Sequence, residues 1–230
     1  MSGHAYSAQA VPSRRRLVPP RWSGGPAGAI AVAALCVVAM AIVWAVAELV
    51  PSAHYRDAVL LHDFIMLGSP RVDQVGNFLL HLLEPELFVF WGLALVAFAL
   101  ARSRPRTAIA AVSVLALAPF TSETLKPLLA HPHVALYNVR IGPDSWPSGH
   151  STAALALVLS AVLVAPPRLR PLVAALGAVF SIAVGCYLLI LSWHMPSDVL
   201  GGFLVATLWM ALAVAVLRAA ERRWPTGRSI

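Results

Sequence analysis

The stretch GPAGAIAVAALCVVAMAIVWAVAELV, residues Gly25 to Val50, decides the fold class. Its only charged residue is Glu48. An α-helix needs about 20 apolar residues to cross the hydrocarbon core of a bilayer, and this stretch exceeds that length. The apolar region of a signal peptide is shorter, and further apolar stretches follow this one. The stretch therefore predicts an uncleaved first transmembrane helix.

Five further apolar stretches follow the first one and are predicted to be spans. They are Leu87–Ala101, Thr107–Leu125, Ser151–Ala165, Pro171–Leu191 and Val199–Leu217. The first and third of these five are short for a span, so we expect their helices to extend into the flanking loops. The segment Ala58–Leu83 carries several charged and histidine side chains, which predicts one or two helices at the membrane interface.

The predicted fold class is all-α, an integral membrane six-helix bundle with an interfacial helical segment between spans 1 and 2. The chain is 59% hydrophobic and 12% charged, with a mean hydropathy of +0.77, which leaves too little polar surface for a soluble domain of this length. We expect residues 1–24 to form a disordered tail, residues 25–218 the membrane domain, and residues 219–230 a C-terminal tail. Cys36 and Cys186 lie inside apolar runs, so neither a disulfide nor a metal site is expected.

The distribution of charge predicts the orientation of the spans. If the N-terminus is cytoplasmic, the inside segments are 1–24, 102–106, 166–170 and 218–230. These segments hold 13 of the 17 basic residues, namely Arg14, Arg15, Arg16, Arg21, Arg102, Arg104, Arg106, Arg168, Arg170, Arg218, Arg222, Arg223 and Arg228. All acidic residues except Glu221 lie outside or at the outer ends of spans. The positive-inside rule therefore predicts a multi-pass protein of the cell (plasma or inner) membrane with both termini in the cytoplasm. The net charge of +7 reflects this topology and does not indicate a nucleic-acid-binding surface.

The segment WPSGHS, residues Trp146 to Ser151, opens the fourth predicted span. Ser148 can cap the helix, and His150 lies in its first turn. Free backbone N–H groups at a helix start favour an anion such as phosphate. The alternative is a capped helix start with an incidental histidine.

The segment SWHMPSDVLGG, residues Ser192 to Gly202, lies between the fifth and sixth predicted spans. Asp198 follows His194 by four positions, so its carboxylate can fold back onto the imidazole if the helix starts at Pro196. A carboxylate on one ring nitrogen makes the other nitrogen a better base or nucleophile. A purely structural His–Asp pair is an equal alternative at this point.

Lys126 is the only lysine in the chain and lies at the outer end of the third predicted span. A charge at this depth favours a functional site, whereas a lysine that snorkels to the interface, or pairs with Glu123, is the alternative. The predicted topology puts Lys126, His150 and His194 at one membrane level on one side. A cation, an anion-binding helix start and two histidines together predict a phosphoryl-transfer site.

These motifs occur in the order Lys, then Pro-Ser-Gly-His, then His-x3-Asp, and in this order the chain resembles the type 2 phosphatidic acid phosphatase (PAP2) family. The resemblance covers roughly residues 50–215. It implies that Lys126, Ser148 and Gly149 bind phosphate. It also implies that His150 is the general acid and that His194 is the nucleophile, oriented by Asp198, which forms a phosphohistidine.

The chain departs from the family pattern at both phosphate-binding arginines. The pattern Lys-x6-Arg-Pro puts His133 and Val134 at the Arg-Pro positions, and the pattern Ser-Arg-x5-His puts Tyr187 and Leu188 at the Ser-Arg positions. A hydrogen bond to a charged group contributes about 1.5–3 kcal/mol, so two lost arginines would weaken phosphate binding substantially. His131, His133 and Arg140 lie in the same outer loop, and we expect that they could partly replace the missing arginines in phosphate binding.

The resemblance predicts a metal-independent phosphatase, without cofactor, that hydrolyses a phosphomonoester or diphosphate of a membrane lipid at the outer face. Phosphatidic acid, phosphatidylglycerol phosphate and polyprenyl (di)phosphates are the candidate substrates. The expected partners are this lipid phosphate and the bilayer, and a homo-oligomer is compatible with the sequence. The alternative is a catalytically weak PAP2-like protein that binds lipid phosphate as a carrier, regulator or assembly partner.

Overall fold

The computed structural model describes residues 25–132, 139 and 141–225. These residues form eight α-helices, namely α1 (Pro26–Leu49), α2 (Pro51–Ile65), α3 (Pro70–His81), α4 (Pro85–Ala101), α5 (Pro105–Leu128), α6 (Gly149–Val164), α7 (Arg170–Ile190) and α8 (Pro196–Arg223). Proline occupies the first or second position of every helix except α6. Its fixed φ suits a helix start, where its missing N–H costs no intrahelical hydrogen bond, so the prolines set most of the helix boundaries.

All six predicted spans lie on helices, but not all six helices have the length of a span. By length and composition, α1, α5, α7 and α8 can each cross a membrane. The helices α3 and α4 are long and apolar enough to cross a membrane only as a pair, which is bent by 55°. Helix α6 has only 16 residues. The chain is thus an all-α integral membrane bundle with four candidate spans, or five with the bent pair, rather than six full-length ones.

The two short spans extend into their flanking loops by only two residues each, for a local reason. α4 gains only its first two residues, Pro85 and Glu86, and α6 gains only Gly149 and His150 at its start. Pro85 sets the start of α4, and at the other end Pro166 and Pro167 follow directly after α6 and prevent its continuation.

The amphipathic segment that was predicted to be interfacial forms α2 and α3. α2 begins one residue after α1 ends, so the chain turns at Val50. Ser69 caps α3, because its hydroxyl oxygen accepts a hydrogen bond from the Val72 N–H at 3.4 Å. Both helices pack against α7, and α2 also contacts α1 and α8.

The bundle is built around α6 and α8, and α1 has its most extensive contact with α8. Its largest core cluster contains many alanines as well as larger side chains, with Val114, Ala118, Ala156, Val205 and Ala206 fully or almost fully buried. Small side chains let helix backbones approach closely, which is how membrane helices gain packing energy.

Arginine side chains connect the helix ends at the end of the bundle opposite the start of α6. Arg218 donates to the Gly25 carbonyl at 3.5 Å, and Arg106 pairs with Glu221 at 3.1 Å. Arg170 donates to the Ala165 carbonyl at 3.2 Å. The segments that the charge pattern assigned to the cytoplasm therefore meet at one end. The predicted tail 1–24 lies outside the described residues, as do residues 226–230 of the predicted C-terminal tail 219–230. The first residues of that second tail are helical instead, because α8 continues past Leu217 to Arg223.

Candidate active site

The start of α6 is held by buried hydroxyl groups. Ser148 is the N-cap, and its hydroxyl oxygen accepts a hydrogen bond from the Ser151 N–H at 3.4 Å. Thr152 donates its hydroxyl to the Ser148 carbonyl at 2.8 Å, and Ser122 of α5 donates to the Pro147 carbonyl at 3.0 Å. The predicted capped start is confirmed, and His150 follows in its first turn.

The start of α8 orients a histidine. Asp198 is fully buried, and its Oδ2 accepts a hydrogen bond from the Met195 N–H at 2.8 Å. The Nδ1 of His194 lies 3.3 Å from the same oxygen. An ionised carboxylate only accepts hydrogen bonds, so this contact favours the tautomer with the proton on Nδ1 and the lone pair on Nε2.

Backbone contacts join these two helix starts. The Ser148 N–H donates to the Asp198 carbonyl at 2.9 Å. The Ser151 hydroxyl oxygen lies 3.1 Å from the Val199 carbonyl oxygen, and the Thr152 hydroxyl oxygen lies 3.2 Å from the Gly202 carbonyl oxygen. At Gly202 a Cβ would collide with Ser151 Oγ and the Ser148 carbonyl oxygen, so this approach requires glycine.

The two predicted histidines lie at this junction. The ring of His150 packs edge-to-face on Trp193, the neighbour of His194 along the chain, with the ring centroids 5.5 Å apart. The side chain of His194 is 12% exposed, and that of Asp198 is inaccessible. A short stretch of the α8 start therefore contacts both the capped start of α6 and its histidine.

Lys126 reaches the same junction from the last turn of α5. A Cβ at Gly149 would lie 3.5 Å from Lys126 Nζ and 2.7 Å from Glu123 Oε1. Lys126 Nζ also pairs with Glu123 Oε1 at 2.7 Å. The ammonium group therefore lies at the α6 start, as predicted, but with a carboxylate beside it.

Comparisons with known proteins bear directly on this arrangement. The sequence profile of the PAP2 superfamily matches residues 107–222, which run from α5 to α8 and include every described residue of the junction. The chain belongs to the PAP2 superfamily.

One solved structure extends the likeness to most of this PAP2 chain. It is described as the first transmembrane PAP2 type phosphatidylglycerolphosphate phosphatase from Bacillus subtilis. It is 19% identical, with a TM-score of 0.70, and the match covers 85% of this chain and 98% of that one. At this identity the match shows a common fold. No curated protein matches the chain.

The two positions that hold phosphate-binding arginines in the PAP2 pattern are occupied by other residues in this chain. Leu188 is fully buried in an apolar cluster with Leu61, Leu80 and Val184, so α7 supplies a core side chain at that position. His133 lies outside the described residues, together with Val134 and Arg140, so their predicted compensation stays a prediction.

His131 is described, and it contacts Glu48 of α1. Its Nδ1 lies 3.4 Å from Glu48 Oε2, and His54 Nδ1 lies 3.6 Å from the same oxygen. His54 also contacts the Ala47 carbonyl oxygen at 2.9 Å. The sequence could not predict that Glu48, His54 and His131 come together, because no motif connects α1, α2 and the loop after α5. Within the described residues, no cluster of three His, Cys, Asp or Glu side chains could hold a metal ion.

The surroundings of His150 act on its ionisation. It lies in the first turn of α6, before the predicted span Ser151–Ala165 begins. Burial lowers the pKa of His150 below its ordinary value, and electrostatic interactions with His194 and Lys126 lower it further. The charges of Glu123 and Glu84 act in the opposite direction. His150 therefore gives up its proton more readily than a free imidazole.

Proposed function

We propose that this protein is a lipid phosphate phosphatase that works through a phosphohistidine intermediate. The observation that carries the proposal is the pairing of His194 Nδ1 with the buried Asp198, directly beside the capped start of α6. Membership of the PAP2 superfamily supports a phosphatase-like activity on a lipid phosphate.

The reaction proceeds in two steps. In the first, Nε2 of His194 attacks phosphorus, the bond from phosphorus to the lipid oxygen breaks, and His150 gives its proton to that oxygen. In the second, His150 takes a proton from a water molecule that attacks the phosphohistidine, and inorganic phosphate leaves. Lys126 and the free N–H groups at the start of α6 balance the charge of the phosphoryl oxygens, and we expect Ser148 and Gly149 to contact the phosphate there.

The membrane location and the structurally similar protein support the proposed substrate class. The phosphate site lies at one end of a membrane bundle, so a phosphomonoester or diphosphate on a lipid can reach it while the tail stays in the bilayer. Phosphatidic acid, phosphatidylglycerol phosphate and polyprenyl (di)phosphates fit this description. The structurally similar Bacillus subtilis protein is described as a phosphatidylglycerolphosphate phosphatase, which makes that lipid the first to test.

We also propose that the site faces away from the cytoplasm and that both termini are cytoplasmic. The clustering of Arg106, Arg170 and Arg218 at the opposite end supports this orientation. Cysteine accessibility on intact cells tests it, with Ser69→Cys on the proposed outer side and Ser103→Cys on the inner side. Labelling of Ser103→Cys but not Ser69→Cys by an impermeant reagent would contradict the orientation.

Phosphate release from a panel of these lipids in detergent micelles tests the activity. We expect turnover by the wild type, none by His194→Ala, and wild-type turnover by His81→Ala, whose histidine is exposed on α3. A radiolabelled phosphoenzyme, quenched in alkali because phosphohistidine is labile to acid, should form in the wild type and in His81→Ala but not in His194→Ala. Equal phosphate release by wild type and His194→Ala would refute the proposal.

The second candidate function is binding of a lipid phosphate with weak turnover. Two observations favour it: the buried Leu188 at an arginine position and the ion pair that Glu123 makes with Lys126. Under this alternative, lipid phosphate binds to both wild type and His150→Ala with similar affinity, and turnover is near background in both. Robust turnover that His150→Ala abolishes would exclude it.

A further inference from the structure

We propose that Asp57, on α2, is a positioning residue that holds the start of α8 and thereby the His194–Asp198 pair in the geometry for attack. The inference rests on the proposed function and extends the site to a helix that carries none of the family motifs.

The contact joins residues that are 140 positions apart in the chain. The Ser197 hydroxyl donates to Asp57 Oδ2 at 2.6 Å, and the Ser197 N–H lies 3.3 Å from Oδ1 and 3.4 Å from Oδ2. One carboxylate thus accepts both polar hydrogens of Ser197. An asparagine would keep one acceptor oxygen for these contacts but would put an NH2 donor in place of the other oxygen, beside the Ser197 N–H.

Ser197 lies between His194 and Asp198, whose relative placement sets the geometry of the proposed nucleophile. It is 7% exposed in the first turn of α8, directly before Asp198 and three positions after His194. The start of α8 therefore has two carboxylates on its free N–H groups: Asp198 on Met195, and Asp57 on Ser197. A helix start exposes unpaired N–H groups and partial positive charge, so both carboxylates stabilise it.

The same turn also carries the contact to α6. The Asp198 carbonyl accepts the Ser148 N–H, so a shift of Ser197 moves the histidine pair and the phosphate-binding helix start relative to one another. Asp198 alone holds His194 within one turn of the chain. Asp57 ties that turn to α2, which packs on α7 and α8.

The surroundings of Asp57 act on the pKa of its carboxyl group in both directions, and the net effect is to raise it. Burial raises the pKa of the Asp57 carboxyl, and the hydrogen bond from the Ser197 hydroxyl acts against that rise. The nearby charge of Asp198 raises the pKa further. Placing a second carboxylate beside Asp198 therefore costs free energy, which its contacts to Ser197 offset only in part.

The experiment compares Asp57→Ala and Ser197→Ala with Asp63→Ala, which removes an exposed carboxylate from the same helix. In micelles with a short-chain lipid phosphate, we expect kcat to fall by about tenfold to a hundredfold in Asp57→Ala while KM stays within about twofold. Ser197→Ala should fall less, the double variant should fall no further than Asp57→Ala, and Asp63→Ala should match the wild type. The rate of phosphohistidine formation should follow kcat.

Hydrogen exchange separates positioning from loss of the fold. Faster exchange should be confined to the amides of residues 195–198 in Asp57→Ala, with wild-type protection in α5 and α6. Wild-type kcat in Asp57→Ala, additive losses in the double variant, or loss of protection throughout the bundle would each overturn the inference. A wild type that releases no phosphate would overturn the proposed function and this inference together, whereas an active wild type with an unaffected Asp57→Ala overturns this inference alone.

Discussion

The backbone N–H of Ser148 donates a 2.9 Å hydrogen bond to the backbone carbonyl of Asp198. Ser148 caps the helix start that is suited to bind phosphate, and Asp198 orients the histidine that is proposed to attack it. One hydrogen bond therefore fixes the distance between the proposed anion site and the proposed nucleophile. Precise placement of reacting groups accounts for a large share of catalysis, so this junction is where substitutions are expected to act most strongly.

The first prediction concerns the carboxylate that orients His194. Asp198→Asn keeps the size of the side chain, but its amide can present a donor to Nδ1 and so favour the wrong tautomer. We expect kcat to fall by roughly a hundredfold to ten-thousandfold, by analogy with other histidine–aspartate pairs. Steady-state phosphate release measures it, and Asp144→Asn, an exposed aspartate in the loop before α6, is the control. Retention of more than a tenth of wild-type kcat would contradict this role of Asp198.

The second prediction concerns the close approach of α6 and α8. In Gly202→Ala the new Cβ would meet Ser151 Oγ and the Ser148 carbonyl oxygen, which are both buried and cannot swing away. We expect the free energy of unfolding in mixed micelles to decrease by about 1–3 kcal/mol.

Gly28→Ala on α1 is the matched control, because a Cβ there meets nothing within 4 Å. Its free energy of unfolding should change by less than about 1 kcal/mol, in the stabilising direction. If the two alanine variants unfold alike, the α6–α8 contact is not as close as described.

The third prediction concerns the carboxylate beside Lys126. Glu123 is more than half exposed and pairs with Lys126 at 2.7 Å, where a phosphate would compete with it. Because an exposed ion pair contributes about 0.2–1 kcal/mol, Glu123→Gln should lower KM for the lipid phosphate by up to about fivefold. Glu86→Gln, on the exposed first turn of α4, is the control and should leave KM unchanged. A higher KM in Glu123→Gln would mean that Glu123 assists binding instead of competing with it.

The fourth prediction concerns pH. His194 must be neutral and His150 protonated in the free enzyme, so kcat/KM should be bell-shaped in pH. The pKa of His150 is lowered, so its proton is lost at a lower pH than from an ordinary imidazole, and the alkaline limb should lie below about 6.5.

A charge variant checks the assignment of this limb. Because the charge of Glu123 raises the pKa of His150, Glu123→Gln should move the alkaline limb to still lower pH. The control Glu86→Gln should leave it in place. A profile that is flat from pH 5 to 9 would contradict the two-histidine mechanism.

Local parts of the site could be predicted from the sequence because they lie within one helical turn. His194 and Asp198 are four positions apart at a helix start, and Ser148 precedes its helix by one residue. These contacts follow from the periodicity of the helix and from the prolines and glycines that set its start. The placement of Lys126 at the same end followed from charge and span topology.

The contacts between distant segments could not be predicted in this way. Nothing in the sequence relates Asp57 to Ser197, or indicates that Glu123 lies against Gly149. The position of Leu188 was flagged as a departure from the family pattern, but that it is fully buried in the core depends on how α7 packs against α2 and α3.

The sequence by itself determined that this chain is an all-α membrane protein with a PAP2-type order of motifs, because apolar length and short-range spacing are properties of the chain alone. Only the tertiary structure decided that α4 and α6 are shorter than full spans. It also decided that the Ser148 N–H donates to the Asp198 carbonyl and that Asp57 of α2 contacts Ser197 at the start of α8. The physical reason is that such contacts depend on the rotation and approach of whole helices. These are set by packing at residues such as Gly202, which allows α6 and α8 to meet.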